Sequence, residues 1–307
     1  MRIVFFGTPD FALASFRALL QGRFEITGVI TQPDRPQGRS RSELISPPVK
    51  VAAQSEGIPV LQPVRPVGDV FATSLRRLEP DLGVVVAYGH ILRPEILAIP
   101  VKGMINVHAS LLPRYRGAAP VQHAILKGDS ETGVSIMQME PGLDSGPVIH
   151  RVSTAIEPDE TAGSLMARLA ELGATGLVEA LSLLSAGLAR PQPQDESRAT
   201  YAPKIDKDMA RLAWERDAST LVRQVRAFDP APGAWTSLNG CLLKLFGARE
   251  VPGTGEPGTV LSAGDRLVVA ASRGAVAVQE VQPAGRSRLS VDAWVRGRGV
   301  SPGQRLV

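Results

Sequence analysis

Gly103-Met104-Ile105-Asn106-Val107-His108-Ala109-Ser110-Leu111-Leu112-Pro113-Arg114-Tyr115-Arg116-Gly117 begins as an apolar strand and ends in a proline-closed loop. Side chains alternate along an extended chain, so Asn106 and His108, two residues apart, project together from one face near the strand's end. A carboxamide and an imidazole delivered in this way suit a site better than a core. Taken alone, the same residues also fit an ordinary strand whose last polar groups satisfy a turn.

The flanking sequence places this strand in a larger pattern. Residues 2 to 6 form a short apolar strand, and Gly7-Thr8-Pro9-Asp10 turns into an amphipathic segment with Phe11, Ala14, Ala18 and Leu19 inward. Strands at 24 to 31, 58 to 61 and 82 to 87 alternate with helices near 49 to 56 and 69 to 78. Beyond the quoted stretch lie a helix near 119 to 127, strands at 133 to 138 and 147 to 153, and a long helix from Thr161 to Leu184. Alternation of this kind predicts an α/β unit with a doubly wound, mostly parallel sheet. Residues 191 to 203 are polar and proline-bearing and read as a linker between a domain at 1 to 190 and one at 204 to 307. In the second domain, short strands follow a helix near 217 to 227 and are expected at 234 to 238, 241 to 249, 257 to 262, 266 to 271 and 274 to 281, which predicts a small OB-like β-barrel.

Composition bounds the possibilities. The chain has 307 residues, of which 44% are apolar and 21% charged, as in soluble globular proteins. No leader and no membrane-length apolar run is evident, and the sole cysteine, Cys241, allows no internal disulfide, which fits a cytoplasmic protein. Cys241 sits at a strand position and is expected to be buried and inert. Residues 1 to 190 hold 18 basic and 18 acidic side chains, whereas 204 to 307 hold 15 and 10. The excess positive charge is confined to the second domain, which points to an anionic partner such as nucleic acid or to a merely solubilising surface.

Other motifs narrow the chemistry. The Gly7 turn lacks the further glycines of a dinucleotide fingerprint, and Thr31-Gln32-Pro33 stands where that fingerprint wants an acid, so nicotinamide binding is disfavoured. His90, His108, His123 and His150 show no ligand spacing, and no metal site is expected. Asp144 lies between two glycines and two prolines in Pro141-Gly142-Leu143-Asp144-Ser145-Gly146-Pro147, a setting in which an aspartate often caps its own backbone. The polar loop after Gln32 carries Arg35, Arg39 and Arg41.

Asn-x-His-x-Ser-Leu-Leu-Pro-x-Tyr-Arg-Gly resembles the signature of the formyltransferases that take a one-carbon unit from 10-formyltetrahydrofolate. Further similarity lies in Gly-Thr-Pro-Asp-Phe-Ala, Thr-Gln-Pro-Asp-Arg-Pro, Leu-Asp-Ser-Gly, Tyr201-Ala202-Pro203-Lys204 and Arg226-Ala227-Phe228-Asp229-Pro230. The resemblance spans nearly the whole chain and is strongest to the branch acting on methionyl-tRNA. It implies a Rossmann-like catalytic domain and a trio of Asn106, His108 and Asp144. It also implies folate contacts from Ser110, Leu111, Leu112 and Pro113, with Val86 and Tyr88 at a neighbouring strand end as a second wall. The implied activity is formylation of the amino group of methionyl initiator tRNA in translation initiation, by a cytoplasmic monomer. Arg35, Arg39, Arg41 and Lys204 are then the expected tRNA contacts. The rival readings are a folate formyltransferase acting on glycinamide ribotide or an amino sugar, and a non-catalytic RNA-binding protein on the same scaffold.

Overall fold

The computed structural model of the chain describes residues 1–37, 43–297 and 299–307. Its chain order begins β1 (Arg2–Gly7), α1 (Asp10–Gln21), β2 (Glu25–Ile30), β3 (Arg35–Gln37), β4 (Glu43–Ile45), α2 (Pro48–Ser55), β5 (Val60–Leu61), α3 (Asp69–Arg76) and β6 (Leu82–Val86). It continues with α4 (Pro94–Leu97), β7 (Met104–His108), α5 (Pro120–Lys127), β8 (Glu131–Gln138), β9 (Val148–Ala155) and α6 (Ala162–Ser185). Seven strands form one sheet in the order β5-β2-β1-β6-β7-β8-β9. The pairs β5–β2, β2–β1, β1–β6 and β6–β7 are parallel, and β7–β8 is antiparallel.

β1 shows why this sheet is covered on both faces. Ile3, Val4, Phe5 and Phe6 are all fully buried, as consecutive residues can be only when both sides of the strand are packed. Phe5 meets Phe16 of α1 with ring centroids 5.3 Å apart. Phe6, on the opposite face, joins a cluster with Val4, Ile30, Phe71 and Leu75, the last two from α3. Gly7 ends the strand where α1 comes closest: a Cβ there would lie 2.8 Å from that of Ala12. The chain builds from β1 to β2 and β5 on one side and then from β6 to β7 on the other, so the switch point, where ligands of such sheets bind, lies between the C-terminal ends of β1 and β6, next to the end of β7.

The contacts divide the chain into two compact units, one of residues 1–117, 132–154 and 166–201, the other of residues 118–131, 155–165 and 202–307. The second unit contains α5, α7 (Ala218–Ala227), α8 (Val291–Arg296) and two four-stranded sheets. One sheet orders β10 (Ala234–Leu238), β11 (Cys241–Phe246), β16 (Glu280–Pro283) and β17 (Leu289–Ser290). The other orders β12 (Arg249–Val251), β15 (Ala275–Val278), β14 (Leu267–Ala270) and β13 (Val260–Ala263). The sequence predicts single strands at 241 to 249 and 274 to 281, and each is instead split between the two sheets. Gly247, at φ 63°, makes the first break, a left-handed turn that no strand continues through. Cys241 is exposed, contrary to expectation, because it is the first residue after the Asn239-Gly240 turn, where β11 has not yet entered the core.

α7 begins on a well-made cap. The Asp217 carboxylate accepts from Thr220 N at 2.8 Å and from the hydroxyls of Ser219 and Thr220 at 2.6 and 3.1 Å. The hydrogen bond from Ser219 Oγ, followed by that from Thr220 N, holds its pKa down to about 2, against an ordinary 3.8. A lowered carboxylate pKa means stability that is full above pH 3.8 and lost as the pH falls towards 2. Asp217→Ala is expected to cost about 1 kcal/mol at neutral pH, with the deficit shrinking across that acid range. Urea unfolding followed by fluorescence reads this directly, since Trp214, Trp235 and Trp294 all lie in the second unit; an unchanged neutral-pH midpoint contradicts the cap.

Candidate active site

β7 lies between parallel β6 and antiparallel β8, with Asn106 in register with Val85 and Met137, and His108 opposite Ser135. Met104, Ile105 and Val107 are buried and fix the strand, while Asn106 is half-buried and His108 retains only 6% exposure. The two polar side chains share one face of the strand, as the spacing requires.

The turn after β7 is shaped by hydrogen bonds to Ser135, which is fully buried. Ser135 Oγ accepts from Leu112 N at 3.0 Å and donates to Ser110 O at 2.7 Å, while Ser110 Oγ donates to Arg114 O at 2.6 Å. One hydroxyl thus satisfies a buried donor and a buried acceptor on the same turn. The Leu112–Pro113 peptide is cis. The turn brings Tyr115 O to 2.9 Å from His108 Nε2. A carbonyl only accepts, so Nε2 carries the proton and Nδ1 is the ring nitrogen left for other chemistry.

Nδ1 faces Asp144. Its distance to Asp144 Oδ2 is 3.7 Å, too long for a direct hydrogen bond but well within charge–charge range. The same Oδ2 accepts from Gly117 N at 2.9 Å, so the far end of the quoted loop orients the carboxylate. Asp144 has φ 50°, a left-handed conformation disfavoured for a residue with a Cβ and sustained by its surroundings. The loop closes tightly on β8: Pro147 O accepts from Gln138 N at 2.9 Å, and a Cβ on Gly146 would come within 2.0 Å of Gln138 O. The structure therefore brings His108 and Asp144 together and sets Asn106 one strand step away on the same face.

The other sequence-singled residues fall in distinct places. Ser110 and Leu112 are buried, whereas Leu111 and Pro113 are half-buried. Val86 and Tyr88 bury their side chains in the core, Tyr88 edge-on to Phe6, and burial pushes the Tyr88 phenol upward in pKa. What this strand end offers is main chain: Ala87 and Gly89 are exposed and left-handed, and Tyr88 O accepts from Gln32 Nε2 at 3.0 Å. Arg35 is exposed at the start of the β3–β4 hairpin and its guanidinium donates to Gln32 Oε1. The hairpin base is tied down by Asp34, which accepts from Gln62 at 2.8 Å, Lys50 at 2.6 Å and Ser46 at 3.1 Å, hydrogen bonds that lower its pKa. Arg39, Arg41 and Arg298 lie outside the described residues.

Among the basic residues of the second unit, Lys204 is exposed. Arg288 is committed internally, to Asp229 at 2.8 Å, to Glu280 at 2.5 Å and against the Phe246 ring. Arg226 donates to Glu160 O and Glu157 O, and Arg249 and Arg296 pair with Asp159 and Asp292. His123 and His150 are satisfied by Pro203 O and Glu179. Among the described residues, no group of three or more His, Cys, Asp or Glu side chains is arranged to hold a metal ion, and no helix is long and apolar enough to cross a membrane.

The profile of formyl transferases matches residues 1–181, and that of the formyl transferase C-terminal domain matches residues 204–299. Methionyl-tRNA formyltransferase of Methylococcus capsulatus is 47% identical over 308 aligned positions, covering 100% of this chain and 99% of that protein. The enzyme of the same name from Magnetococcus marinus is 48% identical, with coverage of 99% and 98%. The chain belongs to the methionyl-tRNA formyltransferase family. Among solved structures, HypX from Aquifex aeolicus in complex with tetrahydrofolic acid shares the fold with a TM-score of 0.66 at 22% identity, over 97% of this chain and 47% of that one. A methionyl-tRNA formyltransferase from Clostridium thermocellum aligns with a TM-score of 0.59 at 15% identity, over 83% and 95%.

Sequence reasoning missed how the residues around this arrangement hold it in place. Ser135 and Gln194 act through contacts 23 to 78 residues away in the chain and carry no local mark, and Arg116, although within the quoted motif, gives no hint there of its partners 78 and 80 residues away. Ser135→Ala strands Leu112 N and Ser110 O in a buried turn, an expected loss of about 1–3 kcal/mol. Urea unfolding followed by far-ultraviolet circular dichroism measures it, and wild-type stability contradicts a structural role for the hydroxyl.

Proposed function

We propose that this chain transfers the formyl group of 10-formyltetrahydrofolate to the free amino group of methionyl initiator tRNA, giving N-formylmethionyl-tRNA and tetrahydrofolate in translation initiation. The observation that carries the reading is full-length identity of 45–48% to methionyl-tRNA formyltransferases. It is joined by the approach of His108 to Asp144 at the end of a central strand.

The chemistry follows from the residue types. The amine nitrogen attacks the formyl carbon, the bond from that carbon to the folate nitrogen breaks, and the nitrogen that leaves takes up a proton. Charge gathers on the formyl oxygen as the amine adds, and donors aimed there lower the barrier. Asn106 supplies an amide N–H, and His108, anchored through Nε2 on Tyr115 O, supplies a second donor at Nδ1 when protonated. Asp144 stabilises that charged imidazole and accepts the amine proton, directly or through one water. The carboxylate is already held by Gly117 N, so little reorganisation accompanies the reaction.

The pterin is placed between the turn at residues 110–113 and the strand end at Val86 and Tyr88, held by main-chain groups and the half-buried Leu111 and Pro113. All the chemistry is assigned to protein groups and folate, with no metal ion. Arg35, Arg39 and Arg41 of the polar stretch after Gln32, together with Lys204, are assigned to tRNA phosphates. A division at 1–190, 191–203 and 204–307 then separates catalysis from tRNA binding, in a cytoplasmic monomer.

The direct test mixes the chain with 10-formyltetrahydrofolate and either methionyl initiator tRNA or an amino sugar. Formylated tRNA alone is expected, and formylation of the sugar alone supports the rival transferase. Asn106→Ala and His108→Ala are each expected to lower kcat by about 10²–10³-fold with smaller changes in KM for folate; a raised KM at wild-type kcat contradicts the trio. Arg39→Ala with Arg41→Ala is expected to raise KM for tRNA and leave folate binding unchanged, and an unaltered tRNA dependence contradicts the assignment of these arginines.

A further inference from the structure

The segment following α6 carries more than a connection. Gln192 pairs with Val148 at the start of β9 through two main-chain hydrogen bonds of 2.8 and 2.9 Å, which lays residues 190–196 alongside the loop that bears Asp144. From there the Gln194 side chain uses both halves of its amide. Nε2 donates to Asp144 O and to Gly146 O, each at 2.8 Å, so a single NH₂ group grips the loop on both sides of Ser145. Oε1 accepts from Arg116, at 2.8 Å from Nη2 and 3.1 Å from Nε.

Arg116 is itself 2% exposed, a buried guanidinium whose other edge is paired to both oxygens of Glu196 at 2.7 and 2.8 Å. Its main-chain N–H donates to Thr200 O at 2.8 Å. The residue after it, Gly117, donates the hydrogen bond that orients the Asp144 carboxylate. Asp144 is therefore held twice from one anchor: its side chain through Gly117, and its main chain through Gln194, with Arg116 joining the two supports. Asp144 sits at φ 50°, a backbone conformation that costs a residue with a Cβ some energy and that these contacts help to offset.

We infer that Gln194 is a positioning residue for the formyl transfer, holding the Asp144 loop in register with His108 through a clamp completed by Arg116 and Glu196. The inference rests on the role given to Asp144 above. The amide is the group the place requires. It alone among side chains of this length presents two donors to the carbonyls and an acceptor to the guanidinium. A glutamate would still accept from Arg116 but set a carboxylate oxygen against two carbonyls, opening the grip on the loop. An alanine would remove both contacts of the amide and leave Arg116 paired with Glu196.

The test uses the full chain, with kcat expressed per tetrahydrofolate-binding site so that misfolded molecules do not count. Gln194→Glu and Gln194→Ala are each expected to lower kcat by about 10- to 100-fold, the scale of a small misplacement of a reacting group, with KM for both substrates changed by less than about threefold. Should Gln194→Ala fail to fold, Gln194→Glu decides. In an Asp144→Ala background the Gln194→Glu change is expected to have no further effect on kcat. Wild-type kcat in Gln194→Glu, or a full additional loss in the Asp144→Ala background, overturns the clamp. Wild-type kcat in Asp144→Ala itself overturns instead the role given to Asp144, and so separates the two failures.

Discussion

The hydrogen bond from Gly117 N to Asp144 Oδ2 is the constraint on which the site depends. It joins the end of the loop after β7 to the turn between β8 and β9, two segments that reach the same place from different strands. Without it the carboxylate would be free to rotate away from His108 Nδ1, which it approaches to 3.7 Å. The bond forms only because Asp144 is left-handed and because Gly117 is kept close by buried Arg116. Several unfavourable local states, a non-glycine residue at positive φ and a desolvated guanidinium among them, are thus offset by one hydrogen-bonded network.

That network explains why such a polar site can sit at the edge of a tightly packed sheet. β7 is apolar except at Asn106 and His108, and the buried polar groups at its end find partners in Ser135 for the turn, Tyr115 O for the imidazole and Gln194 for the Asp144 loop. Groups satisfied beforehand need not reorganise when charge develops, which is the source of most electrostatic catalysis. The β3–β4 hairpin follows the same economy, with its base fixed by Asp34, Lys50 and Gln62.

The alternation of strands and helices in the first unit was legible because buried parallel strands are continuous apolar runs, as in Phe5-Phe6 and Val84-Val85-Val86. Strand direction was not: nothing in the period of β8 says that it runs antiparallel to β7. In the second unit the short strands were visible but their assignment to two sheets was not, since a break such as Gly247 reads equally as a bulge or an end. Cys241 was misjudged because alternation says which face a residue takes but not where the strand enters the core. Asn106 and His108 stood out as polar residues on an apolar strand. Gln194 did not, because a glutamine in a polar, proline-bearing stretch carries no local mark of the carbonyls it binds 48 and 50 residues away.

The central claim is that Asn106, His108 and Asp144 surround one reacting acyl carbon. A crystal structure of this chain with a stable formyl-folate analogue measures it directly. The account predicts the formyl oxygen within hydrogen-bond reach of the Asn106 amide and the His108 ring, about 2.7–3.2 Å, with Asp144 on the side from which an amine approaches. A formyl group seated away from these three side chains, with the pterin outside the crevice between the ends of β6 and β7, would contradict it.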